Sequence, residues 1–267
     1  MCELLGMSAN VPTDICFSFA GLVQRGGETG PHRDGWGIAF YEGRGLRAFH
    51  DPLPSADSRI AELLVAYPIK SRVVISHIRQ ANVGDVCLAN THPFSRELWG
   101  VMWCFAHNGQ LDRQLFDWPL TYYRPAGTTD SEYAFCWLLD QIRARFPDGP
   151  PADPSVLLEL VHNCCEKLRG LGVFNLLLSE STRLFCYCST KLSWITRRAP
   201  FGEAHLRDRD MSVDFYRETT PNDVVTVIAT EPLTDNEEWQ RLRPGDMVVF
   251  IDGEVERQIA GADGAGR

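Results

Sequence analysis

Apolar residues recur along this chain in two rhythms. Short β-type runs cover Trp36 to Glu42, Leu46 to His50, Val73 to Arg79, Val101 to Ala106, Val173 to Ser179, Leu184 to Cys188, Val224 to Ala229 and Met247 to Ile251. Helical spacing appears in Ala134, Trp137, Leu138 and Ile142, with Asp130 and Ser131 at the start. It returns in Leu157, Leu160, Val161, Cys164 and Leu168, closed by Gly170 as a C-cap, and Pro147 to Pro154 reads as the loop between these two helices. An earlier helix is expected around Ile60, Leu63, Leu64 and Tyr67. Gly43-Arg44-Gly45 and the stretch Ser179 to Arg183 are hairpin signals, so neighbouring strands are expected to be antiparallel. Two successive helices between blocks of such strands predict helix-covered sheets, a layered α+β fold rather than a doubly wound parallel sheet. The charge-rich segment Arg197 to Asp210, with Pro200 and Gly202, predicts an exposed loop.

Composition narrows the function. With 267 residues, 44% hydrophobic and 10% aromatic, the chain can bury one large core or two modest ones. A formal charge of −9 leaves no basic surface for a phosphate backbone or an anionic membrane, so neither nucleic acid nor membrane is an expected partner. No apolar run approaches the ~20 residues of a bilayer span. The start, Met-Cys-Glu-Leu-Leu-Gly, lacks the basic region of a secretory signal, so the first residues are expected in the mature protein. Nine cysteines without a repeating frame fit reduced thiols in the cytoplasm better than a disulfide scaffold. Cys164-Cys165, Cys186 and Cys188 lack zinc-knuckle spacing, and His32, His50, His77, His92 and His107 are dispersed. The histidines read as hydrogen-bonded loop or core residues, and neither metal nor cofactor is expected.

Four local features can carry chemistry. If Met1 is cleaved, the Cys2 thiol lies beside its own α-amine, whose reference pKa of ~7.7 to 8.0 suits a base. Nucleophile and base then share one residue, as in the threonine and N-terminal amine arrangement. A Met-Cys start is by itself commonly incidental. Arg79 ends an apolar run in His77-Ile-Arg-Gln-Ala-Asn-Val-Gly84, where it can grip a carboxylate bidentately or make a structural ion pair. His77, one strand repeat earlier, should share its face. In Phe105-Ala-His-Asn-Gly-Gln110, the Asn108 amide and Gly109 N–H can converge on an oxyanion, although Asn-Gly alone is more often a turn. Asp130, in Gly127-Thr-Thr-Asp-Ser-Glu132, can cap the following helix or bind an ammonium group, and Glu132 can favour the first turn. Together the four features suit an α-amino acid with an acyl group at its far end, as glutamine has.

At these residues the chain resembles the class II glutamine amidotransferases, most closely the stand-alone YafJ-like bacterial type, over nearly its whole length. Cys2 is similar in place to the family nucleophile, and Arg33-Asp34-Gly35-Trp36-Gly37 to the glycine-bearing loop beside it, which puts Gly35 among the expected substrate-binding residues. The resemblance implies that Arg79 holds the substrate α-carboxylate, Asp130 the α-amine, and Asn108 with Gly109 the oxyanion. Val227-Ile-Ala-Thr-Glu-Pro-Leu-Thr-Asp-Asn-Glu-Glu-Trp239 resembles the family's late strand and turn. Where many members have H-T-R-W-A-T-H-G, this chain carries Ile78, Gln80, Asn82 and Val83 in place of threonine, tryptophan, threonine and histidine. Asn82 can still hydrogen-bond a carboxylate; the Val83 side chain cannot.

The fold so implied is the four-layer αββα sandwich of N-terminal-nucleophile hydrolases, one domain over residues 1–267. The activity implied is release of ammonia from the glutamine side chain through a Cys2 thioester. Two alternatives stand beside it: hydrolysis of another γ-glutamyl conjugate, and a glutaminase subunit active only with a partner synthase that accepts the ammonia. A glutaminase fold consuming the whole chain leaves no room for a synthase domain, so any acceptor is a separate protein.

Overall fold

The computed structural model describes residues 2–81, 84–217 and 220–261. The first part of the chain forms β1 (Glu3–Thr13), α1 (Cys16–Arg25), β2 (Trp36–Glu42), β3 (Gly45–Asp51), α2 (Arg59–Ala66), β4 (Ser71–Ile78), β5 (Phe94–Leu98) and β6 (Val101–Leu111). Then come α3 (Asp130–Arg145), α4 (Pro154–Arg169), β7 (Gly172–Ser179), β8 (Arg183–Tyr187), β9 (Ser193–Arg198), β10 (Glu203–His205) and β11 (Ser212–Asp214). The last elements are β12 (Val224–Ala229), β13 (Gln240–Arg241), β14 (Met247–Ile251) and β15 (Glu254–Ile259).

Two antiparallel sheets lie face to face. One has seven strands in the order β13-β9-β12-β1-β4-β2-β3 and the other six, β15-β14-β8-β7-β6-β5, while β10 and β11 form a separate hairpin. Because side chains alternate along a strand, every second residue points into the space between the sheets. Leu4, Ala39, Tyr41, Val73 and Ile75 from the first sheet meet Cys104, Ala106, Leu177, Cys186, Val248 and Phe250 from the second. The intervening residues face outward onto helices. Leu5, Met7, Ile38, Phe40 and Val74 pack on α1 and α2, and Trp103, Phe105, Phe174, Leu176 and Phe185 pack on α3 and α4. The layers therefore run helix, sheet, sheet, helix. Burial on both faces explains why these strands read as continuous apolar runs, and each large side chain so buried contributes about 1.5 to 3 kcal/mol.

Local signals start the two long helices, though Thr129 rather than Asp130 is the cap of α3, whose first residue is Asp130. Thr129 caps α3 by accepting the Glu132 N–H at 3.2 Å, and Asp153 caps α4 by accepting the Ser155 N–H at 2.9 Å, with Pro154 in its first turn. Both expected hairpins form, β2 with β3 and β7 with β8.

Strands β1, β5 and β15 lie outside the apolar runs expected to be strands, and three further regions depart from the expectations. Helix α1 was absent from the pattern because Phe17, Ser18, Phe19, Ala20, Gly21, Leu22 and Val23 are all buried, which hides a 3.6-residue rhythm. In α2 the larger apolar residues Ile60, Leu63 and Tyr67 face solvent, and Ala61 and Leu64 are the ones buried. The small Ala61 lets α2 join the same core cluster as Phe19 and Ala20 of α1. Arg197 to Asp210 is not an exposed loop: β9 and β10 run through it, and Phe201, Ala204 and Leu206 are buried. Its charges find partners, Arg197 with Glu237 at 2.6 Å and Asp208 with Arg25 at 2.8 Å.

Candidate active site

The inter-sheet layer changes from apolar to polar at one end. The row Val73, Ile75, His77 continues to Arg79 just past β4, and Cys104, Ala106 continues to Asn108 on β6. On β1, the row through Leu4 continues back to Cys2. Nucleophile candidate, carboxylate clamp and oxyanion candidate are thus one strand repeat beyond the packed core on three strands.

Cys2 is buried, and its sulfur accepts the Gln80 backbone N–H at 3.3 Å. That stretch of chain is fixed by the Asp34-Gly35 loop. Gly35 carbonyl accepts the Arg79 N–H at 2.8 Å, Asp34 N–H donates to the Arg79 carbonyl at 3.2 Å, and the Asp34 carboxylate accepts the Ala81 N–H at 2.7 Å. Gly35 has φ +109°, and a Cβ there would stand 3.1 Å from the Asp51 carbonyl oxygen, so glycine is required. Burial pushes the Cys2 thiol above its ordinary pKa, opposed by the Gln80 N–H and the Arg79 charge and reinforced by Asp130. The resting sulfur is a thiol that needs a base.

Arg79 is 3% exposed and donates to the carbonyls of Asp85 at 3.0 Å and Gly84 at 3.2 Å, which fixes its guanidinium against the wall of the site. Opposite it, the Asp130 carboxylate accepts Leu111 N–H at 2.8 Å through one oxygen and Ser131 N–H at 2.9 Å through the other. His107 supports this side. Its Nε2–H donates to the Val173 carbonyl at 3.0 Å, so Nδ1 accepts the Ser131 hydroxyl at 2.8 Å. Burial lowers the His107 pKa against the pull of Asp130 and the Val173 carbonyl, which keeps the ring neutral in that tautomer. Glu132, expected to favour the first turn of α3, ties down the preceding loop as well, accepting Ala126 N–H at 3.0 Å and Gly127 N–H at 2.6 Å.

Asn108 is fully buried, and its Nδ2 donates to Thr230 Oγ1 at 3.2 Å. Its carbonyl accepts Asn175 Nδ2 at 3.0 Å. At Gly109 a Cβ would stand 1.8 Å from the Val173 carbonyl oxygen, so a side chain would break the approach of β6 to β7 beside the site.

Cys2, Arg79, Gln80, Ala81, His92, His107, Gly109, Gln110, Thr129, Asp130 and Ser131 line one cavity of about 30 Å³. Of these, Gln80 is half-buried and Gln110 exposed. Of the expected site residues, Cys2, Arg79, Gly109 and Asp130 line this cavity. Gly35 acts from behind through the Arg79 backbone, and Asn108 lies in the adjoining buried layer. His77 also stands behind the cavity wall, its ring 4.2 Å from that of His92. Asn82 and Val83, like Met1, fall outside the described residues.

His77 and His92 correct the expectation of hydrogen-bonded core histidines. Their ring nitrogens are buried without a partner in hydrogen-bond geometry; the His107 backbone approaches His77 only outside it. Burial accordingly lowers His77 to about 3 and His92 well below the ordinary imidazole value. No site role was expected for Thr129, Ser131 or Thr230, since a hydroxyl residue in a loop or first helical turn carries no distinguishing pattern. Among the described residues no group of three or more His, Cys, Asp or Glu is placed to hold a metal, and no helix is long and apolar enough to cross a membrane. All nine cysteines are free.

Comparison with known proteins finds a matching family and several similar chains. The family model described as "Glutamine amidotransferases class-II" matches residues 1–264. The Escherichia coli protein YafJ, which carries a provisional assignment as a glutamine amidotransferase, is 59% identical over 254 residues, covering 95% of this chain and 99% of its own. A crystal structure of a predicted glutamine amidotransferase from Pseudomonas aeruginosa superposes with a TM-score of 0.76 at 56% identity, covering 96% of this chain and 100% of that one. A glutamine phosphoribosylpyrophosphate amidotransferase from Bacillus subtilis shares the fold at 15% identity and a TM-score of 0.60, over 97% of this chain and 49% of that one. A γ-glutamyl-hercynylcysteine sulfoxide hydrolase from Mycobacterium tuberculosis is 33% identical over 82 residues, 30% of this chain and 33% of its own. The αββα layers are those of the N-terminal-nucleophile hydrolase type.

Proposed function

Since the chain belongs to the class II glutamine amidotransferases, we propose that it cleaves the side-chain amide of glutamine with Cys2 as nucleophile. The observation that carries this reading is the meeting of Cys2, Arg79, Gly109 and Asp130 in one cavity. Arg79 pairs with the substrate α-carboxylate and Asp130 with its α-ammonium, which leaves the side-chain amide directed at the sulfur.

Removal of Met1 makes the Cys2 α-amine the base. With a reference pKa of ~7.7 to 8.0 it takes the thiol proton, directly or through water, and the sulfur adds to the amide carbon. Asn108 Nδ2 and the Gly109 N–H stabilise the oxyanion. The ammonium so formed returns its proton to the departing nitrogen, ammonia leaves, and a γ-glutamyl thioester remains. Water, deprotonated by the same amine, adds to the thioester and releases glutamate and the thiol. The processed chain from Cys2 acts as one glutaminase unit in the cytoplasm, and ammonia passes to water or to a separate synthase.

Ammonia and glutamate release from glutamine, measured for the wild-type protein and Cys2→Ala, tests the reading; equal release by the two excludes it. The short match to the γ-glutamyl-hercynylcysteine sulfoxide hydrolase supports a second reading, hydrolysis of a larger γ-glutamyl conjugate. Preference for such conjugates over glutamine in a substrate panel decides for it. A glutaminase silent alone and active with a co-purifying protein marks the subunit form.

A further inference from the structure

Thr230 follows β12 at the polar end of the inter-sheet layer and is 4% exposed. Its backbone N–H donates to the Leu4 carbonyl at 3.2 Å, and its Oγ1 accepts the Leu4 N–H at 2.9 Å. The β1–β12 ladder is thereby prolonged past Leu5 and Ala229 by a side chain. The same Oγ1 accepts Asn108 Nδ2 at 3.2 Å, so one hydroxyl touches both the strand carrying the nucleophile and the amide assigned to the oxyanion. Among the described residues this is the only hydrogen bond of the Asn108 side chain, because its Oδ1 is buried without a partner. A primary amide held at one point by one acceptor owes its rotation to that acceptor. One Nδ2 proton is committed to Thr230, and the second is left to point elsewhere.

We propose that Thr230 is a positioning residue that sets the Asn108 amide in register with Cys2, so that the uncommitted Nδ2 proton meets the oxyanion formed at the sulfur. The proposal rests on the glutamine-amide reading above and names a residue that acts through Asn108 without touching substrate. The hydroxyl oxygen is what matters. Valine keeps the shape but takes away the acceptor of two buried N–H groups, whereas serine retains it.

The test compares Thr230→Val and Thr230→Ser with wild type in glutamine turnover and in alkylation of Cys2 by iodoacetamide, a reaction that forms no oxyanion. Thr230→Val is expected to lower kcat about tenfold or more, less than outright loss of an oxyanion donor, with KM changed less than about threefold. Thr230→Ser should recover most of kcat, and both variants should alkylate at the wild-type rate. Wild-type kcat in Thr230→Val overturns the proposal, as does an equal defect in Thr230→Ser or a parallel fall in alkylation. A further readout needs neither turnover nor a variant. In the 15N-labelled wild-type protein, one Asn108 side-chain amide proton should exchange with solvent much more slowly than the other, and equal exchange overturns the proposal. Absence of glutamine turnover in the wild type would sink the functional reading, and the amide exchange would still decide on Thr230.

Discussion

The two halves of the site are built by different means. Cys2, Asn108 and Gly109 sit at strand ends, where ladders to β12 and β7 and the Thr230 hydroxyl fix the backbone before any ligand arrives. Arg79 is held by the Gly84 and Asp85 carbonyls of a loop, and Asp130 by the N–H of Leu111 at the end of β6 and of Ser131 in the first turn of α3. In the proposed reaction the strand-built half makes the bond and stabilises charge, which demand fixed distances. In the same reading Arg79 and Asp130 recognise the amino-acid end. Chemistry and recognition assigned to different residues predict separable kinetic signatures.

The largest effect should come from Cys2→Ala, which abolishes turnover while calorimetry still detects glutamine binding and the melting temperature stays near wild type. Loss of binding together with turnover would merge the two halves. Asn108→Ala should lower kcat by about 10² to 10³ with little change in KM, read from steady-state kinetics. Asp130→Asn removes charge from the recognition half. Losing a charge-assisted hydrogen bond of about 1.5 to 3 kcal/mol should raise KM by roughly 10- to 100-fold, with kcat much less affected. A kcat collapse there like that of Asn108→Ala would break the comparison.

The smallest effect concerns the imidazole layer behind both halves. An unfolded His77 takes a proton below pH ~6.5, whereas the folded ring stays neutral down to about 3. The unfolded state binds more protons across that window, so stability falls as pH falls, by about 1.4 kcal/mol per pH unit from His77 alone. His92 and His107 shift in the same direction. Urea midpoints between pH 7 and 5 check this, and a His77→Gln variant should show a shallower slope.

Much of the fold was legible because burial on both faces leaves an uninterrupted apolar run; the expected Trp36 to Glu42, Val224 to Ala229 and Met247 to Ile251 coincide with β2, β12 and β14. The pattern lost information where tertiary packing overrode it. Helix α1 is buried nearly all round, α2 buries Ala61 while Leu63 is 61% exposed, and the charges of Arg197 to Asp210 conceal Phe201 and Leu206. In the site, the sequence carried the groups that differ most from their neighbours, such as Arg79 after a valine-rich run and Asn-Gly ending another. It could not mark Thr230, whose hydroxyl matters through contacts 226 and 122 residues away in the chain. Nor could it distinguish His107, anchored at both nitrogens, from His77 and His92, which have no such partners.

The central claim, that Cys2 with a free α-amine is the nucleophile, is tested most directly by treating the purified protein with a diazo-ketone analogue of glutamine and measuring intact mass and the modified peptide. The account predicts a chain lacking Met1, one adduct per chain mapped to Cys2, and protection by glutamine. Labelling of another cysteine in place of Cys2, or full glutamine turnover by a chain that retains Met1, would contradict it.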